Sequence, residues 1–202
     1  MANIEKIAPH EESGAAFARR YVEHLSALLA RLDVEAVGRI IDLFRGARTR
    51  GATIFFLGNG GSAATASHFA NDFGVCASPE GQTPFRSMSL TSNIAFVTCL
   101  ANDFGYDQVF SRQLRNLMRP GDVVVGISAS GNSPNAVEAL RYAKENGGIP
   151  VALVGFDGGA MKDIADHVIH VETGKGDYGP VEDVHMVLDH LISVYLANVK
   201  DE

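Results

Sequence analysis

Cysteine is scarce: Cys76 and Cys99 are the only two in 202 residues. Neither belongs to a CxxC pair, so nothing suggests a disulfide framework, and two reduced thiols are expected. Positive charge is also short, with 17 Lys and Arg against 24 Asp and Glu, a formal net charge of −7. That balance argues against a nucleic-acid backbone as the main ligand. It leaves room for a phosphorylated small molecule, because one local pocket can still be positive. No stretch approaches the roughly 18 apolar residues that a membrane span needs. The amino-terminal MANIEKIAPHEESG contains no basic segment leading into an apolar run, so no secretory signal is visible. A cytoplasmic protein with no nucleic-acid or membrane partner is therefore expected. Internal repeats and low-complexity tracts are missing too.

What is present is an ordinary globular composition, 46% hydrophobic and 20% charged. The length suits one domain with an added arm and can bury a core without staples. Phe17, Tyr21, Leu25, Leu28, Leu29 and Leu32 fall at helical spacing, and Asp33 reads as the N-cap of a second helix reaching about Thr49. Residues 1–50 thus predict a helical arm of the kind that covers a neighbouring subunit, followed by one α/β unit over 51–202. Within that unit, Thr53 to Leu57 is a continuous apolar run suited to a strand buried on both faces. Further strands are expected at 86–90, 122–127, 151–154 and 167–171, with helices between them, a Gly-rich loop over 173–180 and a last helix over 181–199. Alternating strands and helices give a parallel sheet of about five strands with helices on both faces, a three-layer α/β sandwich.

In such sheets ligands bind beyond the carboxyl ends of the strands. Two loops leave strong strands there: Gly58-Asn59-Gly60-Gly61-Ser62 and Ser128-Ala129-Ser130-Gly131-Asn132-Ser133. The second offers three hydroxyls around a glycine and feeds a helix, whose free N–H groups favour an anion. Hydroxyls and amides can hold phosphate without lysine. Ser133 before Pro134 also reads as a plain helix cap. Neither loop fits a P-loop or a GxGxxG dinucleotide motif. Downstream of the first loop, His68 and Asp72 are four apart and share a helix face. Such a pair can hold a metal, act as acid and base, or form a simple exposed ion pair. The last helix carries Glu182, Asp183, His185, Asp189 and His190. His185 and Asp189 form a second i, i+4 pair, while Glu182 and His190 lie about 12 Å apart along an ideal helix axis. One metal can lie between the latter two only if both side chains reach inward.

Taken together, GNGGSAATASHFANDF, ANDFGYDQVFSRQ, GDVVVGISASGNSPN and EDVHMVLDH resemble the sugar isomerase (SIS) domain, and within it the phosphoheptose isomerases. The resemblance covers nearly the whole chain. It implies a flavodoxin-like fold, a homotetramer with sites between subunits, and interconversion of sedoheptulose 7-phosphate with D-glycero-D-manno-heptose 7-phosphate through a cis-enediol. It places substrate contacts on Asn59, Gly60, Gly61, Ser62, Asp72, Asn102, Asp103, Ser128, Ala129, Ser130, Ser133 and Glu182. It further implies zinc at His68, Asp72, Glu182 and His190, with Asp72 as base and His190 as acid. Three positions depart from the family pattern: Asp72 stands for the usual Glu, Glu182 for Gln and Cys76 for Arg. Non-catalytic relatives on this fold, including a binder of the bacterial replication initiator and sugar-phosphate sensors, supply the alternative reading. Such relatives tend to lose the acid and histidine, so the retained Asp72, Glu182 and His190 favour an enzyme.

Overall fold

The computed structural model describes residues 13–199; the first twelve residues of the expected arm lie outside that range. Among the described residues the arm forms two helices, α1 (Gly14–Leu29) and α2 (Val34–Arg50). Ser13 Oγ accepts from Ala16 N at 3.2 Å and Asp33 Oδ1 from Ala36 N at 2.9 Å, satisfying amide groups that each first turn leaves free. Gly51 closes α2 with φ at 65°, a left-handed turn that glycine takes without strain. α1 packs on the last helix of the same chain, α8 (Tyr178–Asn198).

The α/β unit runs β1 (Thr53–Leu57), α3 (Gly61–Val75), β2 (Arg86–Ser89), α4 (Ile94–Phe104), α5 (Ser111–Leu117), β3 (Val123–Ser128), α6 (Pro134–Glu145), β4 (Ile149–Val154), α7 (Gly159–Ile164) and β5 (His167–His170), ending in α8. A single 3-10 turn over 106–108 separates α4 from α5. All five strands are parallel, in the order β2-β1-β3-β4-β5. The order reverses between β1 and β3, so the loops after these two strands flank the opening where such sheets take ligands.

Residues alternate across the sheet, yet both faces are covered. Ile54, Phe56, Val123, Val125, Ile127, Val151 and Leu153 face one core with residues of α2, α3 and α8. Phe55, Leu57, Val124, Ala152 and Val154 face the other, with residues of α4, α5, α6 and α7. This is why the strands read as continuous apolar runs rather than alternating ones. The first core holds an aromatic cluster: Phe56 stacks on Phe69 at 4.9 Å, and Phe44 meets Phe73 edge-on at 5.2 Å. That cluster fixes α3 against the sheet. α4, α5 and α7 are not evident from the sequence. In α4 only Leu100 is buried while Ile94 and Phe104 are exposed, so the apolar residues keep no helical period.

Candidate active site

The loops after β1 and β3 meet in a cleft of about 260 Å³ lined by Asn59, Gly60, Gly61, Ser62, Ser128, Ala129, Ser130, Ser133, Tyr178 and Glu182. The serine loop is folded on its own hydroxyls. Ser128 Oγ lies 3.4 Å from Ser130 Oγ and 3.2 Å from Ser133 Oγ, and it accepts from Gly131 N at 3.2 Å. Gly131 sits at φ 63°, and a β-carbon there would run into the Gly158 carbonyl. The neighbouring side chain, Asn132, ties the loop to α7 by accepting from Ala160 N at 2.9 Å. Ser133 occupies the N-cap position of α6 but makes no cap bond; its hydroxyl turns toward Ser128 instead. α3 likewise starts at a glycine, Gly60, without a side-chain cap. Two helix starts thus bring uncapped amide groups to one cleft, and among the described residues no Lys or Arg lines it. This chemistry suits a bound anion.

Asn59 is held in place by a reciprocal amide pair with Asn135, at 2.8 and 2.9 Å, and by the Tyr106 hydroxyl, which donates to its Oδ1 at 2.8 Å. Sequence reasoning missed Asn135, Tyr106 and Tyr178. Asn135 and Tyr178 stand beside the SGNSP and GDYGP loops, and that adjacency is the one signal pointing to them.

A second group lies along α3 and α8. His68, Asp72, Asp189 and His190 each present a ligand atom, all within 4.8 Å of one another. His68 Nε2 is 3.2 Å from His190 Nε2, 3.5 Å from Asp72 Oδ2 and 3.9 Å from Asp189 Oδ2. Two imidazole nitrogens on one tetrahedral zinc stand about 3.3 Å apart, given Zn–N bonds of roughly 2.05 Å. The donor set, two imidazoles and two carboxylates, therefore fits a divalent cation in both spacing and chemistry. Asp189 has no solvent exposure, and among the described residues neither of its oxygens has a hydrogen-bond partner. Burial, reinforced by the Asp72 carboxylate, raises its pKa to about 8. Cys76 Sγ approaches Asp72 Oδ1 at 3.8 Å, and partial desolvation together with that carboxylate pushes the thiol up.

Glu182 lies outside this group of four. Its carboxylate lies over Gly61, where any β-carbon would collide with it, and it lines the serine cleft. Asn102 and Asp103 stand exposed near the end of α4, bonded to each other at 2.8 Å, and do not line the cleft of their own chain. The i, i+4 pair of His185 and Asp189 forms no hydrogen bond. His185 is instead fully buried beneath the end of β4; burial lowers its pKa to about 4, against a smaller opposing effect of the Val154 backbone.

The cleft and the cluster share two helices. Gly61 and Glu182 meet at the start, and His68 and Asp189 meet seven residues later on each. α3 and α8 therefore run in the same direction, and the two centres are about 11 Å apart along them.

Comparisons with known proteins identify the family. The SIS domain family model matches residues 20–155. A probable phosphoheptose isomerase of Thermoplasma acidophilum is 37% identical over 87% of this chain and 94% of its own. The phosphoheptose isomerase of Solidesulfovibrio magneticus is 38% identical over 90% of this chain and 83% of its own. Among solved structures, a phosphoheptose isomerase from Neisseria gonorrhoeae superposes with a TM-score of 0.78 at 33% identity, covering 92% of this chain and 96% of that one. The chain belongs to the SIS domain family, and within it to the phosphoheptose isomerases.

Proposed function

We propose that the protein interconverts sedoheptulose 7-phosphate and D-glycero-D-manno-heptose 7-phosphate. The observation that carries this reading is the two-centre layout on α3 and α8: an anion cleft of hydroxyls and amides, with Glu182 in its lining, at one end and a cluster of acid, base and metal-ligand groups about 11 Å away. Such a site suits an open-chain sugar with phosphate at one terminus and its carbonyl at the other.

The Ser128, Ser130 and Ser133 hydroxyls and the amides of the two helix starts bind the phosphate and so fix the reacting carbons. The Asp72 carboxylate removes a proton from C1 of the ketose. The C–H electrons form the C1–C2 double bond, and His190 delivers a proton to the C2 oxygen, giving the cis-enediol. Return of a proton to C2, with loss of the O1 proton, yields the aldose. His68, Asp72 and His190 would hold a divalent cation, zinc by the family resemblance, and the same resemblance offers Glu182 as the fourth ligand. When bound, the cation polarises the carbonyl oxygen and stabilises negative charge on the enediolate. Asn102 and Asp103 would act on substrate across a subunit boundary in a homotetramer. The exposed apolar side chains Val187, Leu191, Val194 and Tyr195 beside His190 support such an assembly.

The test is direct observation of sedoheptulose 7-phosphate by NMR with metal-loaded protein. Appearance of the aldose phosphate is expected. Binding in a thermal-shift assay without any interconversion would overturn the catalytic reading in favour of a sensor.

A further inference from the structure

We propose that Asp189, rather than Glu182, completes the cation-binding set with His68, Asp72 and His190. The proposal deepens the isomerase reading and rests on it for the use of the cation, but its test does not depend on turnover.

Three observations carry it. Asp189 lies in the group whose ligand atoms fall within 4.8 Å of one another, with Oδ2 at 3.9 Å from His68 Nε2. Its side chain has no solvent exposure, and both oxygens lack a hydrogen-bond partner. A carboxylate in that position, beside a second buried carboxylate at Asp72, is unfavourable unless a cation joins them. Glu182 is meanwhile committed elsewhere, its carboxylate over Gly61 in the serine cleft. Glu182 and Asp189 are seven residues, or about 11 Å of rise, apart along α8. For Glu182 to reach the same ion, its carboxylate would have to leave Gly61 and the serine cleft and extend along the helix toward His190. Adjacent positions on a helix point about 100° apart, so Asp189 and His190 can approach one ion from two sides. In this arrangement the metal carries two carboxylates and two imidazoles, a neutral site for a divalent ion. Glu182 is left to accept hydrogen bonds from sugar hydroxyls.

The experiment compares full-length wild type, Asp189→Asn and Glu182→Ala after metal removal. Zn²⁺ affinity is measured by competition with a chromophoric chelator, and Co²⁺ absorption reports the ligand set. Asp189→Asn should weaken Zn²⁺ binding by at least about tenfold, the lower end of what loss of even an outer partner costs. It should also change the Co²⁺ spectrum. Glu182→Ala, which removes every possible ligand atom at that position, should keep wild-type affinity and spectrum while raising KM for the sugar phosphate. Wild type that takes up no metal, Asp189→Asn with unchanged affinity, or Glu182→Ala weakened tenfold would each overturn the proposal. The Glu182→Ala arm decides even if Asp189→Asn does not fold. Metal held through Asp189 in a protein that converts no heptose phosphate would overturn the isomerase reading and leave this one standing.

Discussion

The two ends of the site are built of different materials. Apart from the Glu182 carboxylate, the cleft is main chain, hydroxyl and amide, locked by bonds such as Gly131 N to Ser128 Oγ at 3.2 Å and by the Asn59–Asn135 pair. The cluster is ionisable side chain, His68, Asp72, Asp189 and His190, contributed by two helices and brought together only by their packing. The serine loop and the two helix starts can therefore bind an anion without changing their own protonation, while the cluster is suited to moving protons. The difference predicts that changes at the two ends separate KM from kcat.

The largest effect belongs to the cluster. Asp72→Asn and His190→Gln should each lower kcat by about 10²–10⁴-fold, the usual worth of a positioned acid or base. KM for sedoheptulose 7-phosphate should change little, as read from NMR progress curves. Raised KM at constant kcat in both variants would break the division between the ends.

Next comes the residue between them. His185 lies on α8 between Glu182 and Asp189, and its folded-state pKa of about 4 lies below the ordinary 6.5. The unfolded chain therefore takes up the proton first as pH falls. Stability is fully present above about 6.5 and declines toward pH 4, by up to about 3 kcal/mol. Asp189 in metal-free protein acts in the opposite sense: its pKa, raised to about 8, makes stability fall as pH rises toward that value. The difference between wild type and His185→Asn, taken from denaturant midpoints across pH 4–8, isolates the histidine. Equal slopes in the two proteins would show that burial does not hold His185 neutral in the folded chain.

The contrast between the ends also explains what the sequence disclosed. The cleft was legible because its parts are contiguous: GNGGS and SASGNS each follow a strand whose apolar run is plain. The strands and the arm helices were legible for the same reason. The cluster was legible only in part. His68 and Asp72 share one helix face, but their partners depend on how α3 and α8 register, and no local pattern records that. Asp189 therefore read as a partner of His185, four residues away, whereas packing turns it toward His68. Ser133 read as a cap because Pro134 follows it, and tertiary contact with Ser128 displaced that local role.

A smaller effect is expected at the cleft. Ser128→Ala and Ser130→Ala each remove one hydroxyl from a charged ligand, worth about 1.5–3 kcal/mol. KM should rise by roughly ten- to a hundredfold with kcat nearly unchanged, since the reacting groups lie about 11 Å away. Equal turnover of phosphorylated and phosphate-free sugar would remove the anion role altogether.

The smallest effect probes how far the two ends are independent. The Tyr21 hydroxyl of α1 donates to Asp183 Oδ2 at 2.5 Å, and His24 Nε2 lies 3.5 Å from Asp177 Oδ2, so the arm grips the second turn of α8 and the residue before the helix. Asp183 adjoins Glu182, which lines the cleft, whereas Asp189 and His190 lie two turns further on. Tyr21→Phe removes a partly exposed bond to a carboxylate and should cost about 1 kcal/mol. For a chain of this size that lowers Tm by about 2–4 °C. If α8 yields locally, KM rises modestly, and kcat and Zn²⁺ affinity stay at wild-type values. If α8 moves as one rod, all three change together, because the same displacement that shifts Glu182 also shifts Asp189 and His190. The second pattern would mean that the arm sets the register of α8 against α3, on which both ends of the site depend.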